Sequence, residues 1–105
     1  MFNKLKDFNS TENYIQLIIS KIKLMDYDLA IKLSKELIYM DVENAIPYNF
    51  LGIIYELSGD LLKAIKFYRV AYYIDQTYAP SRNNLSRATN FRYSLEGIEY
   101  EGNQK

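Results

Sequence analysis

A 34-residue internal repeat constrains this chain more than any other feature. Aligned position by position, residues 11–44 and 45–78 share nine identities in 34 positions. The identical residues of the first range are Tyr14, Leu17, Ile19, Asp26, Ala30, Ile31, Lys32, Tyr39 and Asp41. A period of about 20 to 50 residues is typical of stacked supersecondary units that bury their apolar faces against each other. The repeat therefore predicts a solenoid of two similar units.

Each unit has the pattern of two helices. In the second unit, apolar residues recur every three or four positions over 48–57 and again over 61–72. The tripeptide Ser58-Gly59-Asp60 separates these stripes, because Gly59 can adopt the left-handed conformation that ends a helix and Asp60 can cap the next one. In the first unit, Ser10 or Thr11 and then Asp26 or Asp28 are the candidate helix starts.

A fifth helix is predicted after the second unit. Pro80 suits the first turn of a helix, and Leu85, Ala88 and Phe91 form its apolar stripe. No stretch has the alternating pattern of a strand. The predicted fold is all-α, an antiparallel helix-pair solenoid of about five helices. Its predicted divisions are an N-terminal segment (1–10), two repeats (11–44 and 45–78), a capping helix (79–93) and a disordered tail (94–105).

Composition excludes several classes of function. The chain has 105 residues, enough for one domain, with 13 basic and 13 acidic residues and hence no net charge. It contains neither cysteine nor histidine, which are the usual nucleophile, metal ligand and general base. We therefore expect no enzyme activity, cofactor, metal or small-molecule substrate, and no binding to nucleic acid or membrane. No targeting segment is visible, so we expect a cytoplasmic protein.

The second unit resembles a tetratricopeptide repeat. The resemblance rests on Tyr48-x-x-Leu51-Gly52-x-x-Tyr55 followed by Ala64-x-x-x-Tyr68. In the first unit the match is weaker, because Ile18, Lys21 and Ser34 replace the glycine, the tyrosine and the later aromatic residue. Val42 and Gln76 stand where the family has proline. The resemblance covers about residues 11–93.

This resemblance implies a protein–protein interaction module. In the family, the first helix of each repeat lines a concave groove that holds a peptide or a helix of a partner protein. The positions that match the groove are Ile15, Ile19, Ile22, Asn49, Ile53, Asn83 and Arg87, with Lys23, Glu56, Leu57 and Asn90 beside them. Some members clamp a C-terminal carboxylate, but Ile15, Ile19, Phe50, Pro80 and Asn84 occupy the matching positions and offer few donors to a carboxylate.

Two interpretations of the apolar strip Ile15, Ile19 and Ile22 remain open. It is either an exposed surface that accepts a partner or core that the N-terminal segment covers with Phe2, Leu5 and Phe8. Two alternative functions also remain, a homodimer built through the end faces and tyrosines, and a chaperone for one partner segment. The tyrosines in question are Tyr72, which is predicted to face inward, and Tyr73 and Tyr78, which are predicted to be exposed.

Two further expectations concern the C-terminal third. Arg82, Arg87 and Arg92 give the capping helix a local positive charge, which suits either a solvated helix or the docking of acidic partners. From Ser94 onward no apolar stripe continues, so the tail is predicted to be disordered. Deleting residues 98–105 is accordingly predicted to leave the melting curve unchanged.

Overall fold

The computed structural model describes the backbone of residues 4–101 and the side chains from residue 11 onward. Five helices account for most of it: α1 (Lys4–Lys23), α2 (Tyr27–Met40), α3 (Ile46–Leu57), α4 (Leu61–Ile74) and α5 (Ala79–Ala88). Residues 4–101 contain no strand. The chain is thus an all-α helical-repeat arrangement, as the sequence predicts.

The two units begin their second helices in the same way. Asp26 accepts a hydrogen bond from the backbone N–H of Leu29 (3.4 Å), and Asp60 accepts one from that of Lys63 (3.1 Å). Just before each aspartate, the chain turns through a positive φ, 64° at Met25 and 96° at Gly59. Both helix starts are therefore set by local capping.

Two helix boundaries differ from the sequence expectation. Helix α1 runs through the expected start at Ser10 or Thr11, since residues 4–9 contain no glycine or proline to interrupt it. Helix α5 ends at Ala88 instead of near residue 93. Asn90 then accepts the N–H of Arg92 (2.7 Å) in a turn, and Phe91, which was expected to face inward, is fully exposed.

The helices pack in two layers. Each of α2, α3 and α4 contacts the helices before and after it in the chain. In addition α3 contacts both α1 and α5, whereas α2 and α4 do not approach each other. Helices α1, α3 and α5 therefore form the inner layer of the stack, and the core lies between the layers, around Tyr68, Phe50 and Ile18.

In the part of the chain that the structure describes, no helix combines the length and the apolar character needed to cross a membrane.

Candidate functional site

The predicted groove residues of α1 and α3 form one apolar surface on the inner layer. Ile15, Ile19, Ile22 and Ile53 belong to a single buried cluster, and none is more than 7% exposed. These four side chains are therefore part of the buried core. The strip is not open to solvent, however, because other parts of the chain cover it.

Residues 97–101, here called the groove segment, lie against the inner layer. Ile98 and Tyr100 are half-buried and pack on the core cluster. The expectation of a disordered tail is therefore wrong for these residues, because Ile98 and Tyr100 find an apolar surface that the helices create. Residues 102–105 of that tail lie outside the described residues, and so do the side chains of Phe2, Leu5 and Phe8.

Two asparagines hold the main chain of the groove segment. Asn84 of α5 accepts the backbone N–H of Glu99 (2.9 Å) and donates to its carbonyl oxygen (2.7 Å). Asn49 of α3 donates to the same carbonyl (3.0 Å) and accepts a second N–H of Asn84 (2.9 Å). Both side chains are fully buried, so these bonds satisfy amide groups that would otherwise be costly to bury. The pair recognises backbone atoms, which any non-helical segment possesses.

Contacts at the rim add recognition of side chains. Asn83 donates to both carboxylate oxygens of Glu99 (3.1 and 3.2 Å). The Tyr78 hydroxyl donates to the carbonyl oxygen of Tyr100 (3.2 Å), and the Lys23 ammonium lies 5.3 Å from the centre of the Tyr100 ring, within the range of a cation–π contact. Through Lys23, Asn49 and Asn83, all three inner helices contact the groove segment.

A buried ion pair joins the two helices that carry the asparagines. Arg87 of α5 binds Glu56 of α3 through both terminal nitrogens (2.6 and 2.7 Å). The same carboxylate accepts the hydroxyls of Tyr68 (2.7 Å) and Tyr93 (2.5 Å). Arg87 also donates to the carbonyl oxygen of Ser94 (2.9 Å), which ties the loop after α5 to the body.

The surroundings of Glu56 shift the pKa values of the residues in this cluster. Burial by itself raises the pKa of Glu56, but the hydrogen bonds from Arg87, Tyr93 and Tyr68 outweigh it and hold the pKa below its ordinary value. Burial and the Glu56 carboxylate raise the pKa of Tyr93 to about 12, and they also raise the pKa of Tyr68. Glu56 is therefore a carboxylate, with neutral tyrosines as its donors, at neutral pH.

The predicted site residues have different surroundings in the structure. The isoleucines and Asn49 are buried, Asn49 contacts the groove segment, and exposed Asn83 lies at the rim. Arg87 is paired internally, with 13% of its side chain exposed, so it shapes the groove instead of facing a partner. Sequence reasoning missed Asn84 as a groove residue: it noted that Asn84 matches a carboxylate-clamp position but set it aside as a poor donor to a carboxylate, whereas Asn84 binds a main chain.

The tyrosines are distributed differently from the expectation. Tyr73 is 86% exposed, as predicted, and its repeat equivalent Tyr39 is 88% exposed. Tyr72 is 36% exposed instead of inward, and Tyr78 is half-buried by its contact with the groove segment. A shallow hollow lies beside Tyr73, between the loop after α2 and the end of α4, and is lined by Val42, Glu43, Tyr73, Ile74 and Asp75.

No model of a known protein family matches the sequence, and no curated protein resembles it.

Proposed function

We infer that this chain is a non-catalytic protein–protein interaction module of the tetratricopeptide-repeat type, working in the cytoplasm. Its inner layer would hold a segment of a partner protein in the groove. The observation that carries the proposal is the bonding of Asn84 and Asn49 to the main chain of Glu99. A surface that binds one backbone segment through both its N–H and its C=O groups is suited to bind another.

The same bonds favour a non-helical peptide over a helix as the partner. Inside an α-helix each backbone N–H and C=O is already paired within the helix. A helix could therefore not offer Asn84 the donor and acceptor that Glu99 offers it. Affinity would come from apolar burial on Ile15, Ile19 and Ile53, and alignment from the two buried asparagines.

Selection from a random heptapeptide library on the immobilised full chain tests this function. We expect selected peptides to bind the wild type and to lose binding to an Asn84→Leu variant. Asn13→Leu, which changes an exposed asparagine of α1, is the matched control and should bind like the wild type. The selection is repeated on an Ile98→Ser/Tyr100→Ser variant, in which the groove segment holds less firmly. If no peptide distinguishes Asn84→Leu from Asn13→Leu while both variants keep wild-type helicity, the function is not peptide binding in this groove.

Self-assembly is the second candidate, and exposed Tyr39 and Tyr73 with the hollow beside Tyr73 favour it. Tyrosine is enriched at protein–protein interfaces. Light scattering separates the two, because only self-assembly requires that no monomer exists at micromolar concentration. A chaperone for one partner segment would use the groove in the same way as the peptide-binding module, and its single natural ligand would set it apart.

A further inference from the structure

We propose that the groove segment is an internal competitor, and that the partner which displaces it carries the same pattern, an aliphatic residue, an acidic residue and then an aromatic residue. This inference rests on the proposed function and adds to it a ligand chemistry and a form of regulation. The template is Ile98-Glu99-Tyr100, the part of the chain that occupies the groove.

The side-chain contacts of the groove segment define the pattern. Ile98 and Tyr100 pack on the apolar cluster, whereas the Glu99 carboxylate between them reaches Asn83 at the rim. Alternating apolar and acidic positions therefore match the alternation of floor and rim. The acid suits this rim because Asn83 donates an N–H···O contact to each oxygen of the Glu99 carboxylate. Lys23 beside the Tyr100 ring favours an aromatic residue at the third position.

The groove segment is held in a way that permits displacement. Ile98, Glu99 and Tyr100 are all only half-buried, in contrast to the fully buried asparagines below them. The loop that precedes the segment is exposed over residues 89–96, and its attachment to the body is through Arg87 and Tyr93, which do not depend on Ile98 or Tyr100. Release of the segment can thus leave the loop and the helices in place.

Tethering makes the segment an effective competitor. A segment joined to its own site by a short linker has an effective concentration up to the order of millimolar. A partner peptide of moderate affinity then binds only the fraction of molecules whose groove is free, and its apparent Kd rises in proportion. The protein would accordingly respond to partners that are locally concentrated or that bind more tightly than its own segment.

The test uses the full chain and a fluorescein-labelled, C-terminally amidated peptide with the sequence of residues 96–101. Glu99→Pro removes the N–H that Asn84 accepts, at a position outside the helices. We expect this variant to bind the peptide at least about 10-fold more tightly than the wild type in fluorescence anisotropy. Phe91→Pro puts proline at a fully exposed loop position and should bind as weakly as the wild type. A peptide with serine in place of its isoleucine and tyrosine should bind neither protein.

Equal affinity of the wild type and Glu99→Pro for the peptide would overturn the inference, as would failure of the peptide to bind either. If Glu99→Pro loses helicity, the same comparison is made with Ile98→Ser/Tyr100→Ser. A dimer in solution whose copies exchange groove segments would also overturn it, because a second copy would then be the occupant.

The library selection separates failure of this inference from failure of the proposed function. Library peptides that need Asn84 but have another pattern, with affinity unchanged by Glu99→Pro, would refute this inference alone. Absence of any Asn84-dependent peptide would instead remove the proposed function.

Discussion

At two equivalent positions of the repeats, the large and the small residue are exchanged between the first and the second unit. In the second unit, Gly52 lies under the ring of Tyr68, and a Cβ at Gly52 would stand 2.5 Å from Cδ1 of that ring. In the first unit, Ile18 and Ser34 occupy the same two repeat positions, and both are fully buried. A small residue thus faces a large one in each unit, with the sizes exchanged between the helices. Total volume is kept, as close-packed interiors require.

Gly52→Leu should therefore destabilise the fold, by ~1–3 kcal/mol or more through overpacking. The Tyr68 ring cannot easily move away, because its hydroxyl is bound to buried Glu56. Chemical denaturation measures the loss. In a Tyr68→Leu background the smaller change Gly52→Ala should cost less than it does in the wild type, and equal costs in the two backgrounds would contradict this contact.

The turns before α2 and α4 permit a second test at the residue scale. Gly59 and Met25 both have positive φ, and a Cβ at Gly59 would meet nothing within 4 Å. Gly59→Ala should therefore cost about 1 kcal/mol through backbone conformation alone. Met25 is 71% exposed, so Met25→Gly loses little packing and should stabilise the protein by up to about 1 kcal/mol. Shifts of the denaturation midpoint in the same direction for both variants would contradict this account.

At the scale of elements, the Glu56–Arg87 pair fastens α5 to α3 and so positions both buried asparagines. Removing one partner of a buried ion pair leaves the other charge uncompensated, which typically costs about 3–5 kcal/mol. The pair also orders the loop after α5 through Tyr93 and Ser94. The geometry of the groove therefore depends on a contact outside the groove.

Acid should weaken the attachment of α5 to α3 through Glu56 and Arg87. Because the pKa of Glu56 is lower in the folded protein than in the unfolded chain, the unfolded state takes up the proton first as the pH falls. The stability that Glu56 contributes is thus complete above its ordinary pKa and is lost as the pH falls through the lowered, folded value. We expect Glu56→Gln to be less stable at pH 7 and to show a shallower loss of stability as the pH falls below the ordinary pKa of a glutamate. Exposed Glu43→Gln is the control, and parallel pH profiles for wild type and Glu56→Gln would contradict the prediction.

At the scale of the whole molecule, the groove segment completes the fold. Deleting residues 98–105 removes half-buried Ile98 and Tyr100 and takes the main-chain partners from Asn49 and Asn84. We now expect a loss of about 2 kcal/mol, from uncovered apolar surface and unpaired amides. Phe91→Ala, at a fully exposed position, should stay within about 0.5 kcal/mol of the wild type. An unchanged melting curve for the deletion would mean that the segment does not stay in the groove.

Charged substitutions in the apolar strip of the inner layer should likewise destabilise the protein, as they do in a core. Ile19→Glu with Ile53→Glu would place two carboxylates where the present side chains are at most 7% exposed. Burial of unpaired charges should destabilise the fold by several kcal/mol. Thermal and chemical denaturation measure it, with Leu62→Glu at a 76% exposed position as the control. Retention of the wild-type melting temperature by the double variant would show an open groove.

The helices could be derived from the sequence because their signals are local. Spacing of three and four residues, Asp26 and Asp60 at helix starts and Gly59 in a turn act over a few residues, and the 34-residue period then orders the units. The groove positions, Ile15, Ile19 and Ile53 among them, followed from the resemblance to a tetratricopeptide repeat. The groove segment could not be derived, because it has only two apolar residues and no period of its own. Its position depends on Asn49 and Asn84, which are 50 and 15 residues from Glu99 and recognise backbone atoms that every residue carries. Only the tertiary structure decided that these residues meet, since only packing of α3 against α5 brings the two amides to one point.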